Sequence, residues 1–180
     1  QSSASVIQVE YQERVPALAI GEEARPLFDG FAPGEPSFPA PTPRFAADVY
    51  RVRFWTRDWY GTPTPAEASV YVPVTGLPLE ATVLAFGSGT TGLPDSCAPS
   101  LEQPEIRRLG YYRANMLSYA SQGVITIFPD YTGFNDPQRP QRYFSKTAEG
   151  YLMLDSLRVA RAIVTDPANA LRTQARPGVH

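Results

Sequence analysis

The sequence has very few of the residues that build metal centres and disulfide bonds. Its 180 residues include one cysteine, Cys97, and one histidine, His180. A structural zinc site needs several cysteine or histidine ligands, and a disulfide bond within the chain needs a second cysteine. We therefore predict no metal site. Cys97 is either a buried thiol or the partner of a cysteine on another polypeptide.

Long apolar runs and clusters of basic residues are also missing. No stretch approaches the ~20 consecutive apolar residues of a membrane-spanning helix. The formal net charge is −2, and without a basic run this disfavours binding to nucleic acid or to an anionic membrane surface. The chain starts at Gln1 rather than Met. Removal of a signal peptide would explain this start, as would an arbitrary boundary, and we expect a secreted protein.

Proline, in contrast, is abundant, with 19 residues, of which six fall between residues 26 and 43. Proline interrupts helices and strands. Residues 1–47 are therefore predicted to form a Pro-rich arm with at most a short helix near residues 22–27. Four phenylalanines would anchor this arm on the main body: Phe28, Phe31, Phe38 and Phe45.

Residues 48–180 carry a series of strand and helix patterns. Residues 48–56 and 67–74 alternate with a period of two, which predicts an antiparallel hairpin at the edge of a sheet. Further strands are predicted at 83–86 and 124–128, and helices at 105–121 and 146–164. A strand–helix–strand–helix series after a hairpin predicts an α/β fold in which crossover helices connect parallel strands.

A glycine-rich turn follows the predicted strand at residues 83–86. Gly87, Gly89 and Gly92 fall within six residues, and glycine lets the backbone approach other groups closely. Such a loop can point backbone N–H groups into a cleft, as an enzyme that transfers acyl groups requires for its oxyanion. The alternative is a tight turn without a chemical role.

Three motifs in this region resemble the secretory lipase family, the lipase-A-like branch of the α/β-hydrolases. The first is Gly-Thr-Thr-Gly at 89–92 with Cys-Ala-Pro-Ser at 97–100. The others are Asp-Tyr-Thr-Gly at 130–133 and Leu-Asp-Ser-Leu-Arg-Val-Ala at 154–160. They occur in the family's order and cover roughly residues 48–180. One departure is Ser88, which stands where many members have a histidine.

The resemblance implies that this chain is the N-terminal portion of an α/β-hydrolase. Ester hydrolases of this fold carry a serine nucleophile in Gly-x-Ser-x-Gly on a strand-to-helix turn, and the acid and the histidine follow it. The sequence lacks that pattern. Ser121 follows a predicted helix and precedes a predicted strand, which is the reverse context, and His180 is a terminal residue that would be poorly held as a base. The triad is therefore expected on further polypeptide, as a continuation or a second chain.

The resemblance also suggests site residues. It implies that the backbone N–H of Thr90 is the first candidate for an oxyanion-hole donor, followed by that of Thr91. Asp130, Tyr131 and Phe134 follow a strand at the edge where α/β sheets bind ligands, and we predict them as substrate-binding candidates. The alternatives are that Asp130 caps loop N–H groups and that the two aromatic side chains only pack.

These inferences predict the N-terminal portion of a secreted serine carboxylic-ester hydrolase, a lipase or esterase acting on hydrophobic esters without a cofactor. Its partner would be the C-terminal portion of the same enzyme. Two alternatives are another α/β-hydrolase activity, such as a peptidase or polyesterase, and a non-catalytic binding module built on half of the fold. A Gly-x-Ser-x-Gly pattern in the adjoining polypeptide would favour the enzyme.

Overall fold

The computed structural model describes residues 5–30, 41–76, 79–102, 111–136, 138–139, 141, 144–166 and 173–175. The strands are β1 (Val6–Val15), β2 (Ala46–Arg57), β3 (Pro63–Val74), β4 (Leu79–Ala81), β5 (Val83–Ala85), β6 (Ile125–Pro129), β7 (Thr132–Asn135) and β8 (Thr173–Ala175). The helices are α1 (Ala17–Gly30), α2 (Tyr112–Ser121) and α3 (Lys146–Thr165). Two single-turn 3-10 helices, Asp95–Cys97 and Pro99–Leu101, lie between β5 and α2.

The central sheet has five strands in the order β1-β2-β3-β6-β5. β1, β2 and β3 pair antiparallel with one another in this order, and β3 pairs antiparallel with β6. β5 joins β6 in parallel through α2, and β4 and β8 form a second parallel pair. The prediction of an α/β fold, with an antiparallel hairpin leading into parallel strands and crossover helices, is confirmed.

The helices cover the two faces of this sheet because alternate side chains of each strand point to opposite sides. Val49 belongs to a hydrophobic cluster that contains Ile20 of α1 and Met116 of α2. Val52, on the other face, belongs to a cluster that contains Leu152 of α3. β6 lies between the two helix layers and all five of its residues are buried, as its continuous apolar sequence predicts.

The N-terminal segment is more regular than the sequence predicted. The expectation of at most a short helix near residues 22–27 is wrong, because β1 and α1 together occupy most of residues 6–30. α1 continues through Pro26, although proline removes a backbone hydrogen bond from a helix interior. β1 pairs with β2, so the β2–β3 hairpin is not the edge of the sheet. Phe31 and Phe38 lie outside the described residues.

The predicted helices differ in how far the structure bears them out. α3 begins after Ser145, whose side chain accepts a hydrogen bond from the N–H of Ala148, and it matches the prediction for residues 146–164. α2 begins only at residue 112, because Tyr111 has the left-handed φ of 55°. Residues 103–110 of the predicted helix lie outside the described residues. β7 was not predicted.

Several segments meet where the carboxyl ends of β5 and β6 lie, which we call the carboxyl edge of the sheet. β5 and β6 are parallel, so both end at this edge. β3 runs antiparallel to β6, with Ala68 opposite Pro129, so the loop between β2 and β3 lies at this edge too. In α/β folds, ligands bind at the carboxyl ends of the parallel strands.

Candidate functional site

The glycine-rich turn at residues 87–92 begins directly after β5. The N–H of Phe86 donates to the carbonyl oxygen of Ile127 at 3.0 Å, which extends the pairing one residue beyond the strand. The chain then leaves the sheet, and Gly89 and Thr90 are exposed, whereas Thr91 is half-buried. The turn thus lies at the carboxyl edge, where the sequence predicted an anion-binding loop.

The peptide unit between Ser88 and Gly89 is hydrogen-bonded at both of its polar ends. The hydroxyl of Tyr131 donates to the carbonyl oxygen of Ser88 at 2.7 Å. The N–H of Gly89 donates to the hydroxyl oxygen of Tyr112 at 2.9 Å. The Gly89 amide therefore donates to a side chain. The oxyanion-donor roles of Thr90 and Thr91 stay predictions.

The side chain of Ser88 contributes no hydrogen bond to this turn within the described structure. Ser88 is only 5% exposed, and its buried hydroxyl oxygen has no hydrogen-bond partner there. An unsatisfied buried hydroxyl is costly, by about 1–3 kcal/mol. The turn is therefore held by tyrosine hydroxyls and not by the side chain of Ser88.

Gly92 closes the turn in a conformation that favours glycine. Its φ is +126°, and a Cβ added there would lie 2.6 Å from Sγ of Cys97. Such a separation is shorter than two nonbonded atoms tolerate, so a side chain at this position would force the loop apart. Cys97 itself is half-buried, and it fills the space that the missing side chain leaves.

Asp130 holds the neighbouring loop against the end of β6. Its carboxylate accepts hydrogen bonds from the N–H of Ser100 at 2.9 Å and from the hydroxyl of Ser100 at 2.5 Å. Asp95, in the same loop, accepts the N–H of Asn135 at 3.1 Å. Burial raises the pKa of Asp130 to about 6, although the bonds from Ser100 lower it. The capping role that the sequence left open for Asp130 is present.

The three predicted substrate-binding residues do not form one cluster around the turn. Tyr131 contacts the turn through Ser88, and Asp130 holds the loop of Ser100. Phe134 is 7% exposed and lines a cleft of about 250 Å³ beside Glu67 and Asn135. The described lining of that cleft includes no residue of the turn. A substrate-binding role for Asp130, Tyr131 and Phe134 stays a prediction.

Ser121 and Tyr112 show where the sequence reasoning succeeded and where it failed. Ser121 is fully buried in the last turn of α2, and its hydroxyl donates to the carbonyl oxygen of Ser118 at 2.7 Å. This placement agrees with its exclusion as a nucleophile. Tyr112 was missed because it lies 23 residues from Gly89, and no local pattern relates the two.

Two further properties concern the described residues only. Their cysteine, aspartate and glutamate side chains form no group of three or more that could hold a metal ion, and His180 lies outside the described residues. None of the described helices is both long and apolar enough to span a bilayer.

Comparison with known proteins identifies relatives by structure and not by sequence. No family model matches the chain, and no curated protein matches it in sequence. A mutant of the rice cell wall degrading esterase LipA from Xanthomonas oryzae superposes with a TM-score of 0.69 at 16% identity, over 95% of this chain and 41% of that one.

Two other structures show the same likeness. A protein from Legionella pneumophila described as a hydrolase has a TM-score of 0.69 at 15% identity, over 91% of this chain and 40% of its own. Lipase A from Candida antarctica, in its closed state, has a TM-score of 0.55 at 18% identity, over 87% and 31%.

These comparisons establish the fold. At such low identity they carry no residue assignments, but all three place the described architecture within an α/β-hydrolase sheet. The resemblance to the lipase-A-like branch is confirmed at the level of the fold. The chain spans 31–41% of the length of these structures, and it therefore contains a partial lipase-like fold.

Proposed function

We propose that this chain is the N-terminal portion of a secreted serine carboxylic-ester hydrolase and supplies its oxyanion hole. The observation that carries the proposal is the turn at residues 87–92. It follows β5 at the carboxyl edge of the sheet, exposes Thr90, and is held by tyrosine hydroxyls on both sides of one peptide. Two of the structural neighbours are named as an esterase and a lipase.

The proposed mechanism divides the reaction between this chain and the remaining polypeptide. A serine outside the chain attacks the ester carbonyl, and a histidine held by an acid takes its proton. The carbonyl oxygen becomes an oxyanion that accepts hydrogen bonds from the N–H of Thr90, with Thr91 as the second candidate. The alcohol leaves, and water hydrolyses the acyl-enzyme.

The proposed substrate class rests on the structural neighbours. A hydrophobic ester, such as a lipid, is proposed because the fold is shared with a lipase. The LipA relative is named for degrading plant cell wall, so esters of short acyl groups belong in the same assay. Secretion is proposed from the proline content. Recovery of the polypeptide from the extracellular fraction of its native host would support it.

The test uses the complete polypeptide that carries this chain. It should hydrolyse a series of p-nitrophenyl esters, and a fluorophosphonate should label one serine within a Gly-x-Ser-x-Gly pattern beyond residue 180. The variant Ser121→Ala should still be labelled. A folded polypeptide that neither hydrolyses esters nor reacts with the fluorophosphonate would overturn the proposal in favour of a non-catalytic module.

The oxyanion role has its own variant. Thr90→Pro removes one backbone N–H, and losing such a donor costs about 3 kcal/mol of transition-state stabilisation. We expect kcat to fall roughly 100-fold with little change in KM. Unchanged turnover would assign the turn a structural role only.

A further inference from the structure

We infer that Tyr112 and Tyr131 are positioning residues of the oxyanion turn. They fix the orientation of the peptide between Ser88 and Gly89 and so the direction in which the N–H of Thr90 points. The inference rests on the proposed function. It assigns a role to two hydroxyl groups, one on α2 and one between β6 and β7, that bind the same peptide.

The geometry of the peptide unit explains why two hydrogen bonds suffice. A trans peptide is planar, and its C=O and N–H point in opposite directions. Tyr131 holds the carbonyl end at 2.7 Å and Tyr112 holds the N–H end at 2.9 Å. With both ends bound, rotation of this plane breaks two hydrogen bonds. One of the two torsions that flank this plane is φ of Gly89, and because glycine has no Cβ, the backbone there would not by itself prevent such a rotation.

The two hydroxyls are themselves held by packed aromatic rings. The Tyr112 ring lies 5.0 Å from that of Phe128 and 6.4 Å from that of Phe86, measured between centroids. Tyr131 is 9% exposed and belongs to the hydrophobic cluster of the α3 face. Side chains confined in this way place their hydroxyl groups at fixed points, as preorganised donors and acceptors require.

We call the two tyrosine hydroxyls and the peptide that they hold the clamp. Gly87 and Gly89 leave space for these hydroxyls. A Cβ added at Gly87 would lie 3.0 Å from the hydroxyl oxygen of Tyr131, and one added at Gly89 would lie 3.2 Å from that of Tyr112. Each tyrosine therefore approaches the backbone at the place where a side chain would otherwise stand. Since the hydroxyl of Ser88 makes no hydrogen bond in the described structure, the tyrosines hold this peptide without its help.

For catalysis, the two tyrosines matter through the orientation of the Thr90 N–H. An oxyanion donor acts only if its N–H points at the position that the oxyanion occupies. The peptide between Ser88 and Gly89 is separated from the Thr90 amide by Gly89 alone, so its rotation redirects that amide. Loss of either tyrosine hydroxyl should therefore weaken binding of the transition state more than binding of the substrate.

The variants Tyr112→Phe and Tyr131→Phe test this in the complete polypeptide, because they remove the hydroxyl and keep the ring. Each should lower kcat by roughly 10- to 100-fold with KM within about twofold. The affinity for a trifluoromethyl ketone, which forms a tetrahedral adduct, should fall by a similar factor. Tyr119→Phe is the matched control, since Tyr119 is also on α2 but is 44% exposed, and it should retain full activity.

Non-additivity is a second signature. Because both hydroxyls hold one peptide, the double variant should lose much less activity than the product of the two single losses. Unchanged kcat in both single variants, or an equal loss in Tyr119→Phe, would overturn the inference. So would fully multiplicative losses.

A measurement that does not require activity separates this inference from the proposed function. Hydrogen exchange of the Gly89 amide should accelerate at least tenfold in Tyr112→Phe and stay unchanged in Tyr119→Phe. If the unaltered polypeptide hydrolyses no ester, the proposed function fails, and the exchange result still decides whether the clamp exists. If it is active but Tyr112→Phe exchanges and turns over normally, only the clamp fails.

Discussion

At the scale of single residues, the carboxyl edge depends on contacts between positions far apart in the sequence. Asp130 and Ser100 are 30 residues apart, and Gly92 faces Cys97 across a turn. Two predictions follow from single properties of these residues, namely the positive φ of Gly92 and the ionisable carboxyl group of Asp130.

The first concerns Gly92. Gly92→Ala should lower the free energy of unfolding by about 1–3 kcal/mol, because an L-residue is strained at φ +126° and its Cβ would meet Cys97 at 2.6 Å. Gly150→Ala, in α3 with no atom within 4 Å of the added Cβ, should instead stabilise by up to about 1 kcal/mol. Urea denaturation of both variants gives the comparison. Equal stability of the Gly92 variant and the parent would contradict the strain argument.

The second concerns the pH dependence of Asp130. Its folded-state pKa is raised by burial to about 6, against about 4 in an unfolded chain. Between these values the folded state binds a proton that the unfolded state lacks. The contribution of Asp130 to stability is therefore greatest at and below about pH 4, falls as the pH rises to about 6, and is level above.

Asp130→Asn removes this titration. The free energy of unfolding of the parent minus that of the variant should decrease by about 2–3 kcal/mol between pH 4 and pH 6. Denaturation curves at pH 4, 5, 6 and 7 measure it, and other titrating groups cancel in the difference. A constant difference across this range would show that Asp130 is ionised throughout.

At the scale of elements, α2 is tied to the N-terminal segment by one arginine. Arg113 donates to Glu13 of β1 at 2.9 Å and to Glu23 of α1 at 3.0 Å. The backbone N–H of Arg113 also donates to the side-chain carboxylate of Glu102 at 2.7 Å. The pKa of Glu23 is raised by burial, although Arg113 opposes that shift. The arginine thus joins α2 to β1, to α1 and to the residue Glu102.

We predict that Arg113→Ala loosens β1 and α1 from the rest of the molecule. It should destabilise by about 1–3 kcal/mol, less than for a fully buried ion pair because these side chains are partly exposed, and it should hasten proteolytic removal of the first 30 residues. Arg25→Ala is the control, since Arg25 is exposed on α1. Equal protease resistance of the two variants would mean that the hydrophobic contacts of α1 hold the segment by themselves.

Some of the elements can be predicted from the sequence and others cannot. β2, β3, β6 and α3 are predictable because each carries a recognisable hydrophobic pattern. β1 also alternates apolar and polar residues from Ile7 to Gln12, but this pattern was not recognised as a strand within residues 1–47. The full length of α1 was not predicted because Pro26 disfavours a helix interior. The helix nevertheless continues through Pro26, and Ile20 of α1 packs in a hydrophobic cluster. The glycine turn is visible in the sequence, whereas the tyrosines that hold it are not, because their hydrogen bonds join residues 23 and 43 positions apart.

At the scale of the whole molecule, the two sides of the sheet differ in character. β1 is an exposed edge strand that carries the charged residues Glu10, Glu13 and Arg14, and charged side chains protect edge strands from pairing with other chains. The residues of β5 are apolar and half-buried, whereas all of β6 is buried. Since the chain spans 31–41% of the length of its structural neighbours, the β5 side is where we expect further polypeptide to pack.

Residues 1–180 expressed alone should therefore be poorly stable. We expect aggregation at micromolar concentration and strong binding of an apolar dye, because incompletely covered parallel strands expose apolar surface. The complete polypeptide under the same conditions should remain monomeric and bind little dye. A soluble, cooperatively melting monomer of residues 1–180 would contradict this expectation.

The strand order has a last consequence, for the ribosome. β3 is complete once residue 74 is made, yet its partner β6 begins at residue 125. At about 5–20 residues per second, the open side of β3 waits roughly 3 to 10 s for its neighbour. During that interval its unpaired N–H and C=O groups can recruit the same strand of an adjacent nascent chain on one messenger. A chaperone that shields β3 during this interval should therefore raise the yield of folded protein.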